Sequence, residues 1–471
     1  MGGGGAGAGE GERPLLDKLS NSSYSSSEEQ IVKRTGTAWT ATAHIITAVI
    51  GSGVLSLAWS VAQLGWVGGP AAMVLFAWVT VIQSSLLADC YISDDPERGV
   101  VRNRSYVDAV SFYLGEKSQW LCGFFLNFSL FGGSVVYALT SATSMRAIQK
   151  ANCYHREGHD APCSVGGDGY YMLLFGLAQV VLSQIPGFHD MTWLSVLSAA
   201  MSFSYSLVGF GLGVAKVIAN GTIKGGIGGI AMVSATQKAW RVSQALGDIA
   251  FAYPFTSVLL EIEDTLRSPP PENETMKTAS RASIAVTTFF YLCCGCFGYA
   301  AFGDATPGNL LTGFGFYEPY WLIDFANLCI VLHLLGGYQV YAQPVFAVVE
   351  RLMGGAGAGV VEVALPVSGS SSRWRRRVNV YRLCFRTAYV AATTALAVWF
   401  PYFNQVVGLL GAFTFWPLAI HFPVEMYLAK TKVAPWTTRW LAIRAFSAVC
   451  LVTSAFASVG SAVGVFASKT S

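Results

Sequence analysis

Two short stretches of this sequence hold residue types that an ordinary apolar helix does not need. Gly51-Ser52-Gly53 interrupts one apolar run, and Asp248-Ile249-Ala250-Phe251-Ala252-Tyr253-Pro254 puts a carboxylate and a proline into another. Glycine weakens a helix and lets a ligand or a second backbone come close. Proline has no N–H and frees a backbone carbonyl one turn earlier. A helix opened at Gly51, Ser52 and Gly53 would present unpaired N–H groups at the positive start of a half-helix, which suits a carboxylate. Carbonyls freed around Ala250, Phe251 and Tyr253 would suit an ammonium, and the two together fit an α-amino acid. The same glycines would equally serve as close-packing positions against a neighbouring helix.

Ionisable residues inside apolar runs are costly and usually face a cavity or a partner. Four stand out: His44, Asp248, Asp324 and His333. His44 precedes Gly51 by seven residues; in one continuous helix that is two turns, nearly one face, and about 10 Å. An imidazole, or a desolvated carboxylate, can take a proton on one side of a membrane and release it on the other. His44, Asp248 and His333 are therefore the candidate proton-coupling residues, with a neutral hydrogen-bonding role within the bundle the alternative for His333. Asp324 is expected near the outer end of its run. Glu261, Glu263 and Asp264 are expected to be hydrated at an inner end, and Trp59, Trp66, Trp321 and Trp399 to anchor at interfaces.

The elements that must position these groups are membrane helices. The chain has 471 residues, 53% hydrophobic and 12% charged, about half the charged fraction of a soluble domain. Apolar runs of roughly 20 residues recur, each long enough to cross a hydrocarbon core as a helix. They do not alternate as barrel strands must. Eleven spans are predicted, at 36–60, 67–91, 119–146, 169–187, 190–219, 239–263, 282–302, 318–345, 381–400, 404–428 and 440–465. With the N-terminus inside, nineteen Lys and Arg fall in inner segments and five in outer ones. Positive loops stay cytoplasmic, so the N-terminus is expected inside and the C-terminus outside.

The interruptions fall in spans one and six, the first members of two five-span halves, as an inverted repeat with a midplane site requires. The expected fold is an all-α polytopic membrane protein. A cytoplasmic tail over 1–34 precedes one five-helix repeat over 35–219, a second over 239–428 and an additional helix at 440–465. The Gly- and Ser-rich tail lacks the apolar core of a cleavable signal. The tract 354–377, with its Gly-Ala repeats and the Arg373-Trp374-Arg375-Arg376-Arg377 cluster, reads as a flexible loop touching anionic lipid. Cys153 and Cys163 are placed in an outer loop, where they can pair. Asn220-Gly221-Thr222 is a glycosylation sequon on the same side.

The motifs carry a resemblance. Gly51 to Trp59 (GSGVLSLAW), Ala245 to Tyr253 (ALGDIAFAY), the run from Ser268-Pro269-Pro270-Pro271-Glu272-Asn273 to Met276-Lys277, Phe302 to Leu311 (FGDATPGNLL) and Phe400-Pro401-Tyr402-Phe403-Asn404 resemble plant amino acid permeases of the amino acid/auxin permease family, over about 33–440. The resemblance implies the five-plus-five architecture, inward amino acid transport with protons across the plasma membrane, histidines at His44 and His333, and Asp248 within a family motif. Where the family usually has a polar stretch in span three this chain has Leu126-Asn127-Phe128-Ser129. Asn127 is therefore the candidate substrate contact from that span, and side-chain selectivity is expected to differ.

Other classes fit less well. A channel would need a polar stripe along a span. An enzyme would need clustered catalytic groups, and neither a metal-ligand spacing nor a cofactor motif is found. Charge and lipophilicity exclude a nucleic-acid binder, leaving the lipid bilayer as the bulk partner. The alternatives kept open are an amino acid sensor without net transport, a carrier of another small carboxylate such as an auxin-like acid, and coupling to sodium.

Overall fold

A computed structural model describes residues 34–95, 99–158, 161–185, 192–232, 234–314, 319–353, 360–365 and 374–470. All but the last residue of the expected tail, and much of the 354–377 tract, lie outside them.

The described chain is helical, with two small hairpins. Helix α1 (Ala38–Val49) starts at Thr37, whose side chain and that of Thr40 form a reciprocal cap, satisfying two of the orphan N–H groups of a helix start. It stops at Val49. Gly51 takes φ −121°, ψ −145°, and a 3₁₀ turn over Ser52–Ser56 follows. Helix α2 (Leu57–Ala88) is two helical stretches joined across a kink at Gly65, where φ is +80°. A Cβ at Gly65 would lie 2.0 Å from the Ile227 carbonyl oxygen, so conformation and space both require glycine there. Strands β1 (Ile92–Asp95) and β2 (Gly99–Arg102) pair antiparallel before α3 (Tyr106–Leu114) and the long α4 (Glu116–Glu157). At 1.5 Å per residue α4 is about 63 Å long, twice a hydrocarbon core. It therefore projects beyond the core and carries Cys153 in its last turns, not in the loop where the sequence placed it. Cys153 is bonded to Cys163 with Cα atoms 5.8 Å apart.

Helices α5 (Asp168–Ser183) and then α6 (Thr192–Asn220) follow. The sequon at the end of α6 is engaged: the Asn220 side-chain amide donates to the Ala301 carbonyl at 2.9 Å. Helix α7 (Ala235–Ala252), capped by Ser234, gives way at Tyr253-Pro254-Phe255 to the short α8 (Thr256–Asp264), because Pro254 cannot continue the hydrogen-bond ladder. Then follow α9 (Glu272–Phe302), α10 (Tyr320–Leu352), strands β3 (Val360–Leu365) and β4 (Trp374–Asn379), and α11 (Val380–Trp399). Helix α12 (Phe403–Thr414) continues through a π-helical turn at Phe415–His421 into α13 (Phe422–Thr431), and α14 (Thr438–Thr470) ends the fold. Eight stretches among the described residues are long and apolar enough to cross a membrane.

The described residues between 346 and 385 belong to a small unit of their own. Within it β3 and β4 pair from Val360 opposite Asn379 to Leu365 opposite Trp374. The expected loop is therefore partly a hairpin, as the Val-rich run of β3 favours. In the main body α14 lies against α7 through small residues, which bring helices close where lipid offers no hydrophobic drive. A Cβ at Gly460 would meet the Ser243 side chain at 1.4 Å and the Trp240 carbonyl oxygen at 3.1 Å. Trp59, expected at an interface, is 9% exposed, with the Arg241 guanidinium 5.9 Å above its ring.

Replacing Gly460 by Leu should force α14 off α7 and lower stability by about 1–3 kcal/mol or more, as overpacking does. Thermal unfolding of purified protein would show it as a lower midpoint, and an unchanged midpoint would contradict the packing.

Candidate functional site

The two helix breaks meet. A Cβ at Gly53 would lie 3.0 Å from both Cα and Cβ of Ala252 and 3.5 Å from the Phe251 ring, so the close-packing role of Gly53 and the break coexist. At Gly51 the space is more open, with the Tyr137 hydroxyl alone nearby, at 3.4 Å from a built Cβ. The first N–H groups of the 3₁₀ turn, at Ser52 and Gly53, have no intrahelical partner by the geometry of a helix start. Ser52 is 2% exposed and its hydroxyl has no hydrogen-bond partner among the described residues.

Tyrosines from two other helices satisfy carbonyls that the breaks release. The Tyr291 hydroxyl, from α9, lies 2.7 Å from the Val49 carbonyl and 2.9 Å from that of Ala252. With one proton it serves both helix ends by sharing, and so ties the last residue of α1 to the last residue of α7. The Tyr205 hydroxyl, from α6, donates to the Gly51 carbonyl at 3.1 Å. Tyr137, from α4, stacks edge-on against Tyr341 of α10, with centroids 5.0 Å apart. Tyr253 is fully buried, its ring edge against Tyr291. None of these tyrosines except Tyr253 was singled out by sequence, since a single tyrosine in an apolar run has no distinguishing pattern.

A cavity of about 70 Å³ lies beside the second break, lined by Ala250, Phe251, Ser129, Tyr341 and Thr414 among others. That is room for several waters. Phe251 and Tyr341 border it on one side and face Gly53 and Tyr137 on the other, forming a wall between the cavity and the first break. Gly51, Ser52, Gly53 and Tyr253 do not line this cavity. Neither does Asn127, whose side chain donates back to the Gly123 carbonyl at 2.7 Å. Ser129, two residues further along and about 200° round the helix, is the residue of that stretch that lines the cavity.

The three candidate proton carriers stand in different surroundings. Asp248 is fully buried between helices; one oxygen accepts from Asn404 Nδ2 at 3.1 Å and from Ser60 Oγ at 3.4 Å. Its other oxygen has no hydrogen-bond partner among the described residues. His333 is buried on α10, with Nδ1 3.0 Å from the Ser198 carbonyl and 3.1 Å from Ser202 Oγ. A carbonyl can only accept, so Nδ1 carries the hydrogen and Nε2, which has no partner among the described residues, is the free basic site. The ring stands 6.0 Å from Tyr205 and 6.4 Å from Tyr137, one layer behind the first break. His44 is exposed, off the buried stripe of Ala41, Ile45 and Val49. The seven-residue spacing assumed one continuous helix, but α1 ends before Gly51, so the shared face is lost.

Among other expectations, Asp324 accepts from Asn152 at 2.7 Å near the disulfide end. Glu263, expected to be hydrated, is fully buried.

These features define an all-helical, multi-pass membrane protein in which two interrupted helices meet at a tyrosine-lined centre. The family model described as "Transmembrane amino acid transporter protein" matches residues 34–467, and the chain belongs to that family. It is similar to "Probable amino acid permease 7" of Arabidopsis thaliana, 54% identical over 94% of this chain and 95% of that one. "Amino acid permease 3" of the same plant is 53% identical over 92% and 91%. The resemblance drawn from the motifs is thus borne out. A Na⁺-coupled sialic acid symporter in a substrate-bound outward-open state superposes with a TM-score of 0.48 at 11% identity, covering 91% of this chain and 90% of that one, too loosely to carry its sites across.

Tyr291→Phe should leave the Val49 and Ala252 carbonyls without their shared donor, at about 1–3 kcal/mol for the buried groups. The expected outcome is a lower thermal midpoint together with weaker protection by added amino acid. A variant matching wild type in both would remove the bridge from the account.

Proposed function

We propose that this protein is a proton-coupled amino acid symporter of the plasma membrane, importing its substrate by alternating access. Amino acid transport follows from family membership and from relatives named as permeases over nearly their whole length. Eleven crossings arranged as five plus five, plus α14, are the arrangement proposed. In it α1 with the first part of α2 is span one, α7 with α8 is span six, and the shorter or more polar α5 and α11 are also spans. The Lys and Arg distribution supports an N-terminus in the cytoplasm and a C-terminus outside.

The single observation that carries the reading is the contact between the breaks. Gly53 against Ala252 brings a half-helix start, with its free N–H groups, beside carbonyl-bearing helix ends. A zwitterion placed there would give its carboxylate to the N–H groups around Ser52 and Gly53 and its ammonium to carbonyls near Ala250 to Tyr253. Phe251 would face the substrate side chain from the wall of the cavity. Asp248 is the proposed proton carrier, because a fully buried carboxylate with one unpartnered oxygen and no cationic partner among the described residues needs a proton or an ion. His333, with a free Nε2 behind Tyr137 and Tyr205, is the proposed second member.

One proton is enough for the work. At roughly 150 mV and two pH units, a proton moving with a neutral zwitterion supplies about 6 kcal/mol, which supports accumulation of order ten-thousand-fold.

The test is voltage-clamp current in oocytes, with a panel of amino acids at acidic and neutral external pH, with and without sodium. Inward current that grows at acidic pH and needs no sodium is expected, together with loss of concentrative uptake in Asp248→Asn. Sodium-dependent current, or full accumulation by Asp248→Asn, would contradict the coupling proposed.

A further inference from the structure

Glu263 lies on the last turn of α8 and is fully buried, and neither carboxylate oxygen has a hydrogen-bond partner among the described residues. The groups facing it are Asp89 and Cys90 after α2, Glu272 and Lys277 on α9, and Lys430 on α13. Each nearby cation is already engaged. Lys277 Nζ pairs with Asp89 at 2.7 Å and with Glu274 at 3.0 Å. Lys430 donates to the carbonyls of Asp89 and Ile92. Arg34 pairs with Asp264 at 2.7 Å, and Arg102 reaches Glu272 at 3.5 Å. Cys90 is a buried thiol, neutral at neutral pH, and brings no charge. A carboxylate here would face two other carboxylates with no donor of its own, an arrangement that burial does not tolerate.

The same turn of α8 closes one end of the bundle. The Gly36 N–H donates to the Thr265 carbonyl at 2.9 Å and the Arg267 N–H to the Gly36 carbonyl at 3.0 Å, tying the chain ahead of α1 to the chain after α8. The Tyr91 hydroxyl and Arg34 both bind Asp264, at 2.6 and 2.7 Å. Glu263 sits directly beneath this fastening, one residue before Asp264.

We propose that Glu263 is a second protonation site, separate from Asp248 and His333, whose proton is held while this end is closed and released to the adjoining solution when it opens. Opening brings water to the carboxylate, and a hydrated carboxylate ionises at neutral pH. Release of a proton on opening means that rising pH on this side favours the open form and acidification favours the closed one. On the orientation proposed above this side is the cytoplasm, so an acid cytosol would slow turnover by holding the inner end shut. The fastening, its proton and their linkage do not depend on which group carries the coupling proton.

Hydrogen–deuterium exchange of the purified full-length protein at pH 6 and pH 8, corrected for intrinsic rates, reads the fastening through peptides holding the Gly36 and Arg267 amides. Wild type should exchange faster at pH 8, by up to about tenfold per pH unit for one linked proton. Glu263→Gln, a neutral isostere, should stay protected at both pH values, and Glu263→Met carries the same expectation if the Gln variant is not recovered. Equal wild-type protection at both pH values, or a neutral variant that keeps the wild-type dependence, would overturn the proposal. Because the readout needs no transport, its failure is distinguishable from failure of proton-coupled uptake.

Discussion

Inside a bilayer each backbone N–H and C=O must find a partner within the protein, because no solvent is there to supply one. A broken membrane helix is therefore possible only where other groups take over the ends it exposes. Here Tyr291 and Tyr205 reach in from α9 and α6 to the carbonyls of Val49, Ala252 and Gly51. What they leave unserved is the N–H side of the first break, at Ser52 and Gly53. On the reading proposed above, the fold satisfies these three carbonyls internally and leaves the donors at Ser52 and Gly53 for an anionic group and the carbonyls around Ala250 and Tyr253 for a cationic one.

Close approach of backbones is the second condition. Gly53 fits against Ala252 without room for a side chain, and Gly247 against Gly408 is tighter still, a built Cβ lying 2.3 Å from the Gly408 carbonyl oxygen. The same glycine contacts hold α7 to α12 and put Asn404 within reach of Asp248. Packing and chemistry are thus coupled: the helix that carries the carboxylate is also the one pressed most closely by its neighbours, so whatever neutralises Asp248 acts on a contact between spans. At the other end of the same broken span, Glu263 repeats the arrangement with fewer partners.

Much of this was legible in the sequence because glycine and proline act locally. The interruptions at Gly51-Ser52-Gly53 and at Pro254 read directly from residue type, as did the long apolar runs and the family motifs. What depended on the far side of a helix or on another span did not. His44 was placed by a period that the break itself ends, and Asn127 was taken from a motif position, while the residue of that stretch that lines the cavity is Ser129, on another face of the helix. Tyr205 and Tyr291 look like any aromatic in an apolar run, and their role appears only when a hydroxyl is found beside a released carbonyl. Glu263 looked like a hydrated helix end because two acidic neighbours, Glu261 and Asp264, stand beside it; Glu261 is exposed and Asp264 is ion-paired.

The central claim is that backbone groups at two facing breaks recognise the two charged ends of an α-amino acid. It is tested most directly by equilibrium binding of an amino acid, its carboxyl amide and its N-acetyl derivative to the purified protein. The account predicts that the free amino acid binds and that blocking either end removes binding, since each change discards a charge-assisted set of hydrogen bonds. Binding of either blocked compound with the affinity of the free amino acid would contradict it.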